Sequence, residues 1–297
     1  MKTIICISAY NRPEYFQEVI TALERCKGVE KYPIICSLDG GDEKNQLKNQ
    51  NVLENSNLEI EYRNHADNLG CAGNMGYVLS WAFNEEEADR VIVIEDDVVL
   101  AESALNFVSR LLERYEDDER VFSVTMMSSN KRENLAANQV NALDWFNCCG
   151  FATWKRVWEE IDSEGWFGIS KDFAYVSMPH QWNKAWLWKH IQETHCDLKG
   201  SWATPMAHYW IKGRVCIEPA VSRIQNIGEV GTFTGITSEN NAGLDNTNIY
   251  EETVKFHTWI GDGSYEVPKP EDLIFPTEEE LDHLYYVTQT KGGVNGG

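Results

Sequence analysis

The chain has 297 residues, of which 42% are hydrophobic and 11% aromatic, and its formal net charge is −21. This content is enough to bury a large core, in one big α/β domain or in two smaller ones. With no basic cluster longer than Lys131 and Arg132, the acidic charge disfavours nucleic acid as a partner without excluding it. The N-terminal apolar run is too short for a signal peptide or a membrane span, so we expect a cytoplasmic protein.

The eight cysteines are scattered, with neither a CxxC motif nor the Cys/His spacing of a zinc site. Some fall in predicted buried strands and two are adjacent in sequence, which is a poor basis for a disulfide framework. We therefore expect reduced thiols that pack in the core.

Strand and helix signals alternate along the first hundred residues. Short apolar runs predict strands over residues 2–8, 32–37 and 58–63, and a fourth strand from Val91 that ends in an acidic triplet. Helical spacing and start signals predict helices over residues 12–25, 42–55 and 74–86. This alternation predicts an α/β fold with a doubly wound, mostly parallel sheet flanked by helices.

The composition changes further along the chain. A helix over residues 101–115 and a strand over 121–126 are followed by a stretch, residues 145–210, that holds nine of the eleven tryptophans. Aromatic faces pack well against sugars, although they are also ordinary core material. The tail from Pro268 is rich in proline and acidic residues and contains one predicted helix, over residues 277–286.

Three consecutive carboxylates, Glu95, Asp96 and Asp97, stand at the end of the fourth strand. Ligands of open α/β sheets collect beyond the carboxyl ends of the strands. Adjacent carboxylates repel one another and need a cation in a semi-enclosed place, and oxygen ligands favour Mg²⁺ or Mn²⁺. A solvated acidic turn is the alternative interpretation.

Three other polar segments occupy equivalent positions. A turn over residues 8–12 follows the first strand, Asp39 follows the second, and a Gly- and Asn-rich segment, DNLGCAGNMG, precedes the third helix. A carboxylate at this edge can accept hydrogen bonds from a ribose or a base, and small residues expose backbone N–H groups to a ligand. Each segment alone is typical of a turn or a cap.

In this order, YNRPE, SLDGG, NLGCAGN and IEDD resemble the nucleotide-sugar domain of GT-A-fold glycosyltransferases. The stretch GRVCIEPAVSRIQNIGEVGTFTG, residues 213–235, is similar to the corresponding region of N-acetylglucosaminyltransferase I-like enzymes and their bacterial family-2 relatives. The resemblance covers roughly residues 1–240. It implies a GT-A domain over residues 1–265, with a nucleotide-binding half (1–100) and an acceptor-side half (101–265), followed by a C-terminal extension (266–297).

The resemblance also implies roles for individual residues. Asp97 would bind Mn²⁺ or Mg²⁺ directly, Asp96 would lie toward the metal and the ribose, and Glu95 toward the ribose or the donor sugar. Asp39 would contact the uridine, and the loop over residues 228–235 would close over the pyrophosphate. The implied donor-binding residues are Ser8, Tyr10, Asn11, Arg12, Asp39, Asn68, Gly70, Asn74, Glu95, Asp96, Ser222 and Arg223.

The sequence departs from the family pattern at Ala203, where the resemblance implies the aspartate that acts as general base. Three explanations stay open: Asp197 or Glu229 serves as the base, Ala203 replaces a natural aspartate, or the chain binds a donor without turning it over. His208 and Glu218 have weaker claims to the role.

The resemblance therefore implies a metal-dependent, inverting glycosyltransferase that uses a nucleotide-sugar, with a UDP-sugar favoured, and a carbohydrate or other hydroxyl acceptor on a glycan or glycolipid. A modified base in DNA is an alternative acceptor. A non-catalytic nucleotide-sugar or glycan-binding module is an alternative of another class. A nucleotidyltransferase is disfavoured because the Gly-rich basic signature near the N-terminus is absent from the sequence.

Overall fold

A computed structural model of the protein describes residues 1–128, 136–143, 149–164, 214–228 and 266–292. The strands in these ranges are β1 (Thr3–Ala9), β2 (Ile34–Leu38), β3 (Ile60–Asn64), β4 (Arg90–Glu95), β5 (Val98–Leu100), β6 (Val121–Thr125), β7 (Val140–Leu143), β8 (Phe151–Trp154), β9 (Val215–Pro219) and β10 (Ile224–Asn226). The α-helices there are α1 (Pro13–Glu24), α2 (Glu43–Glu54), α3 (Gly70–Ser80), α4 (Ala104–Arg114), α5 (Lys155–Glu164) and α6 (Glu278–Gly292).

Eight strands form one sheet in the order β3-β2-β1-β4-β8-β6-β9-β7. The first four strands of this order are mutually parallel, and β6 is parallel to β9, whereas β8 and β7 pair with their neighbours in the antiparallel sense. The prediction of a mostly parallel central sheet flanked by helices is confirmed. The carboxyl ends of β1, β2 and β4 consequently meet at one edge of the sheet.

Helix α1 shows why the predicted pattern folds as it does. Pro13 stands in its first turn, where the missing N–H is not needed. Its buried residues recur every three or four positions, as the spacing predicted. They include Phe16, Val19, Ile20 and Leu23, each at most 1% exposed, and such side chains each contribute roughly 1.5–3 kcal/mol by burial.

The apolar run from Val91 to Leu100 divides into two elements. Strand β4 ends at Glu95, the chain turns at Asp96 and Asp97, and β5 then leaves the main sheet to pair with β10 in a two-stranded antiparallel sheet. In this turn both aspartate side chains accept hydrogen bonds from residues that follow β1, described below. A continuous strand would direct them to opposite faces.

Helix α3 begins at Gly70, four residues before the predicted start at Asn74. The backbone N–H groups of Leu69 and Gly70 donate to the carboxylate of Asp39, at 2.7 and 3.1 Å. A side chain 30 residues away thus accepts from two backbone N–H groups at the start of the helix. Gly70 has a φ of 77°, which a residue with a Cβ rarely adopts.

The tryptophan-rich stretch is described at only two of its tryptophans. Trp154 and Trp158 are 2% and 4% exposed, and their indole N–H groups donate to Leu112 O at 3.1 Å and to Asn84 Oδ1 at 3.0 Å. Both belong to the core. The other tryptophans of this stretch lie outside the described residues, so for them both interpretations, packing against sugars and packing in the core, stay open.

Two further expectations concern the thiols and the membrane. Within the described ranges, six cysteines are free thiols: Cys6, Cys26, Cys36, Cys71, Cys149 and Cys216. The described part of the chain contains no helix that is both long enough and apolar enough to cross a bilayer.

The segment that follows residue 265 packs against the rest of the fold. The backbone of Ile274 accepts from Val140 N and donates to Asn138 O, both at 2.8 Å, so it runs beside β7. In α6, Leu281 is fully buried. The predicted division of the chain at residue 265 stays a prediction.

Ion pairs also fix the first turns of α6. Arg120 donates to Glu278 Oε2 at 2.7 Å and to Asp282 Oδ1 at 2.5 Å, while Asp118 holds the same guanidinium at 2.7 Å. One arginine thus joins the turn before β6 to α6 in a network of four charged residues.

We predict that Arg120→Ala loosens α6. The free energy of unfolding should fall by at most about 1 kcal/mol, because the acidic partners are mostly exposed and screened by salt. Limited proteolysis should nevertheless cut the C-terminal segment several-fold faster. Arg110→Ala is the matched control, since Arg110 forms its ion pair with Glu113 in its own helix, at 3.8 Å. Equal cleavage rates in Arg120→Ala and the unaltered protein would contradict this role.

Candidate functional site

The polar segments that follow β1, β2 and β4 meet because these strands are parallel and in register. Ser8 pairs with Glu95 on one side of β1, and Ala9 pairs with Leu38 on the other. The turn after β1, Asp39 and the acidic pair therefore leave the sheet side by side. This is the position at which open α/β sheets bind their ligands.

The centre of the candidate site is an acidic pair, Asp96 and Asp97, bridged by Arg12. The two aspartates are 3% and 7% exposed. Arg12 Nη1 donates to Asp97 Oδ2 at 2.7 Å, and Arg12 Nη2 donates to Asp96 Oδ1. The backbone N–H of Tyr10 donates to the other oxygen of Asp96, at 3.1 Å. One guanidinium thus spans both carboxylates, which makes their burial tolerable.

The charges of this cluster shift the pKa values of its members. Burial is the largest influence on Asp97 and raises its pKa, Asp96 adds to the rise, and Arg12 opposes it. Burial alone would lower the pKa of Arg12, but the charges of Asp96 and Asp97 outweigh it and raise that pKa. Arg12 is therefore a permanent cation at any physiological pH.

A short segment, Asn226–Gly228, covers the acidic pair. Ile227 N donates to the backbone oxygen of Asp97 at 2.8 Å, and Asn226 Nδ2 lies 3.4 Å from Asp97 Oδ1. A Cβ on Gly228 would clash with Asp97 Oδ2 and would lie 3.1 Å from Arg12 Nη1. The segment approaches so closely only because residue 228 is glycine.

Asp39 ties the end of β2 to the start of α3. It is 3% exposed, and its Oδ1 accepts from Gly40 N at 2.9 Å and from Leu69 N at 2.7 Å, while Oδ2 accepts from Gly70 N at 3.1 Å. Burial raises its pKa although these hydrogen bonds oppose the rise. Asn68 Oδ1 also accepts from Gly70 N, at 2.8 Å, so this predicted site residue lies in the same turn.

Asn74 joins three segments of this edge. Its Nδ2 donates to Ser8 Oγ at 2.9 Å, and its Oδ1 accepts from Ser37 Oγ at 2.5 Å. The hydroxyl of Ser37 also lies 2.9 Å from His65 Nε2, and burial is the main cause that lowers the pKa of His65. Asn74 is 2% exposed, and these bonds fix the edge beneath the site.

Ser222 and Arg223 are buried beside β10. Ser222 Oγ accepts from Ser128 N at 2.8 Å. The guanidinium of Arg223 donates to Ala137 O at 2.5 Å and lies 4.8 Å from the ring centroid of Phe107 in α4. Burial lowers the pKa of Arg223 to about 10. The structure thus places Arg223 against α4 and the segment before β7, and Ser222 against Ser128, while Asp97 contacts Asn226 at the other end of β10.

The remaining predicted residues are placed in part. Tyr10, Asn11 and Glu95 are half-buried at the same edge, and Glu218 is 1% exposed on β9. Four of the predicted residues lie outside the described residues. They are the candidate bases Asp197 and Glu229, the weaker candidate His208, and Ala203, where the resemblance implies the base.

Sequence reasoning missed two asparagines that shape the site. Asn49 is fully buried in α2 and donates to Tyr10 O, which holds the turn after β1. Asn226 contacts Asp97 from the covering segment. Asn226 falls three residues after Arg223, inside the stretch that resembles the family. Its position could therefore have indicated that it belongs to the site. Asn49 stands in a polar helix whose sequence gives no such signal.

The residues present fit a divalent cation that brings oxygen ligands of its own. Asp96 and Asp97 direct carboxylate oxygens at one bound cationic group, the guanidinium of Arg12. Across the described ranges, no cluster of three or more His, Cys, Asp or Glu side chains is arranged to hold a metal. Mg²⁺ and Mn²⁺ sites with phosphate substrates commonly use one or two carboxylates and complete the shell with phosphate oxygens and water.

Known proteins provide three comparisons. Alpha-1,3-mannosyl-glycoprotein 2-beta-N-acetylglucosaminyltransferase of Arabidopsis thaliana is 20% identical over 251 residues, which cover 78% of this chain and 48% of that protein. The chain thus spans about half the length of this curated relative. S. aureus TarS 1-349 in complex with UDP-GlcNAc has a TM-score of 0.41 and 14% identity, over 55% of this chain and 48% of that chain. The mannosyltransferase PcManGT from Pyrobaculum calidifontis, in complex with GDP-Man and Mn2+, has a TM-score of 0.42 and 14% identity, over 54% of this chain and 46% of that chain.

The family profile "Glycosyl transferase family 2" matches residues 4–174, more than half of the chain. The matched range begins in β1 and contains the turn after it, Asp39, the start of α3 and the acidic pair. The chain therefore belongs to glycosyl transferase family 2, and the resemblance read from its sequence is confirmed.

Proposed function

We propose that the chain is a metal-dependent, inverting glycosyltransferase that moves a sugar from a UDP-sugar to an acceptor hydroxyl. The observation that carries this proposal is the buried acidic pair at the carboxyl edge of β4, in a chain that belongs to glycosyl transferase family 2. A glycan or glycolipid is the proposed acceptor, since a net charge of −21 suits neutral carbohydrate better than a polyanion.

Departure of the diphosphate is the step for which the acidic pair is suited. Asp96 and Asp97 would hold Mn²⁺ or Mg²⁺. A metal ion bound there would stabilise the negative charge that develops on the leaving diphosphate. Arg12, which pairs with both carboxylates in the structure, is a permanent cation at the same place and can pair with the anionic phosphates of the donor. Together these groups favour the nucleoside diphosphate as a leaving group.

Asp39 is the proposed contact for the uridine. A carboxylate offers about four acceptor positions, and Asp39 uses three of them for backbone N–H groups. Among the described residues, Gly70 N donates the one hydrogen bond that Asp39 Oδ2 accepts, which leaves capacity for an N–H of the base. Because these hydrogen bonds hold Asp39 in the turn, its carboxylate keeps its position when the ligand binds.

An inverting transfer needs a base that removes the proton from the attacking hydroxyl. The sequence leaves Asp197 and Glu229 as candidates, with Ala203 at the position where the family resemblance implies aspartate. A chain without a base would bind the donor and not transfer it. Hydrolysis or transfer from a UDP-sugar in the presence of Mn²⁺ separates an enzyme from a binding module.

We predict that UDP binds at least tenfold more tightly with Mn²⁺ than with EDTA, because the acidic pair repels the diphosphate unless a metal ion intervenes. Asp97→Asn should lose most of this difference. Titration calorimetry measures both affinities, and Asp117→Asn, which removes an exposed charge elsewhere, is the matched control. Equal affinity of the unaltered protein in Mn²⁺ and in EDTA would contradict the metal site.

A second prediction concerns the base. If Ala203 stands in place of the base, Ala203→Asp should raise the transfer rate by about 10²- to 10⁴-fold and leave the affinity for the donor nearly unchanged. If Asp197 is the base, Asp197→Asn should abolish transfer and Ala203→Asp should bring no gain. Transfer rate and donor affinity are measured for both variants. Rapid transfer that neither substitution alters would refute both assignments.

A further inference from the structure

The oxygens that a divalent metal would need already bind a cation of the chain. Arg12 donates to Asp96 Oδ1 and, at 2.7 Å, to Asp97 Oδ2. The second oxygen of Asp96 accepts from Tyr10 N at 3.1 Å, and Asn226 Nδ2 lies 3.4 Å from the second oxygen of Asp97. All four carboxylate oxygens thus have a donor within the fold.

A divalent metal and the Arg12 guanidinium cannot share these oxygens. Both are positive, and the repulsion between two charges that contact the same carboxylate is large in a semi-buried place. A Cβ on Gly228 would clash with Asp97 Oδ2 and lie 3.1 Å from Arg12 Nη1, so the backbone of the covering segment also approaches the atoms that the metal would contact. Binding of the metal therefore requires that Arg12 leave the acidic pair.

We propose that Arg12 is an internal counter-ion that competes with the divalent metal for Asp96 and Asp97. This inference rests on the proposed metal site. In the protein without ligands, Arg12 stabilises the buried carboxylates and keeps metal affinity low. A nucleoside diphosphate reverses the balance, because its phosphates are anions that can accept the displaced guanidinium. Metal and nucleotide then bind cooperatively, and the coupling acts equally on the affinity of each.

The test measures Mn²⁺ binding without nucleotide, from the electron paramagnetic resonance signal of free Mn²⁺. Arg12→Gln should bind one Mn²⁺ at least tenfold more tightly than the unaltered protein, because the competitor is gone. Arg63→Gln is the matched control: it changes the net charge equally, but Arg63 pairs with Glu85, at 2.8 Å, away from the acidic pair. Its Mn²⁺ affinity should equal that of the unaltered protein.

Unchanged or weaker Mn²⁺ binding by Arg12→Gln would overturn the competition. Adding Asp97→Asn to Arg12→Gln should abolish the gain, and a gain that persists would also overturn it, because the ion would then bind elsewhere. If Arg12→Gln does not fold, Arg12→Lys replaces it. A single ammonium bridges two carboxylates less well than a guanidinium, so a smaller rise in affinity is expected, and no rise overturns the inference.

The same titration with UDP separates this inference from the proposed function. If UDP promotes Mn²⁺ binding to the unaltered protein but Arg12→Gln gains nothing without UDP, the competition fails and the metal site stands. If neither protein binds Mn²⁺ with or without UDP, the metal site itself fails and the competition fails with it.

Discussion

The adjacent carboxylates of Asp96 and Asp97 lie almost completely buried beside the guanidinium of Arg12. Several surrounding elements hold these three side chains together. Parallel pairing of β1 with β4 brings Arg12 within reach of Asp96 and Asp97. Asn49 holds the backbone of the turn that carries Arg12. The pairing of β10 with β5 then places Gly228 over the acidic pair. Removal of the positive charge would leave two like charges in a place that water hardly reaches, which is costly.

Several residues that the resemblance assigns to the donor already have structural partners. Asp39 caps the start of α3, and Asn74 links β1 to β2 through Ser8 and Ser37. A side chain held in this way keeps its position when a ligand arrives, which lowers the entropic cost of binding. The same carboxylate or amide group can therefore both stabilise the fold and contact the ligand. The same reasoning does not extend to Arg223, whose guanidinium is enclosed by α4 and the segment before β7.

The order of strands and helices in the first hundred residues was predictable because apolar runs and helical spacing are local signals. The location of a polar edge was predictable as well, since parallel strands end on the same side. What escaped prediction depends on contacts between distant residues. The N–H groups at the start of α3 are bound in part by Asp39, and the charge that balances Asp96 comes from Arg12, 84 positions earlier in the chain. The family resemblance assigns Arg12 to donor binding, but the sequence contains no information about the direction in which its side chain points.

The strand order also determines what lies at the two ends of the main sheet. At one end is β3, and at the other β7, beside which the chain places its own residue Ile274 through two backbone hydrogen bonds. A protein that ended at residue 265 would lack this segment and the buried Leu281 of α6. Val140 N in β7 and Asn138 O just before it would then lose these partners, and unpaired backbone groups at an edge strand are where strands of other molecules add. The C-terminal segment therefore covers part of the outer side of β7, and covering an edge strand with a loop is one way in which proteins keep other chains from pairing with it.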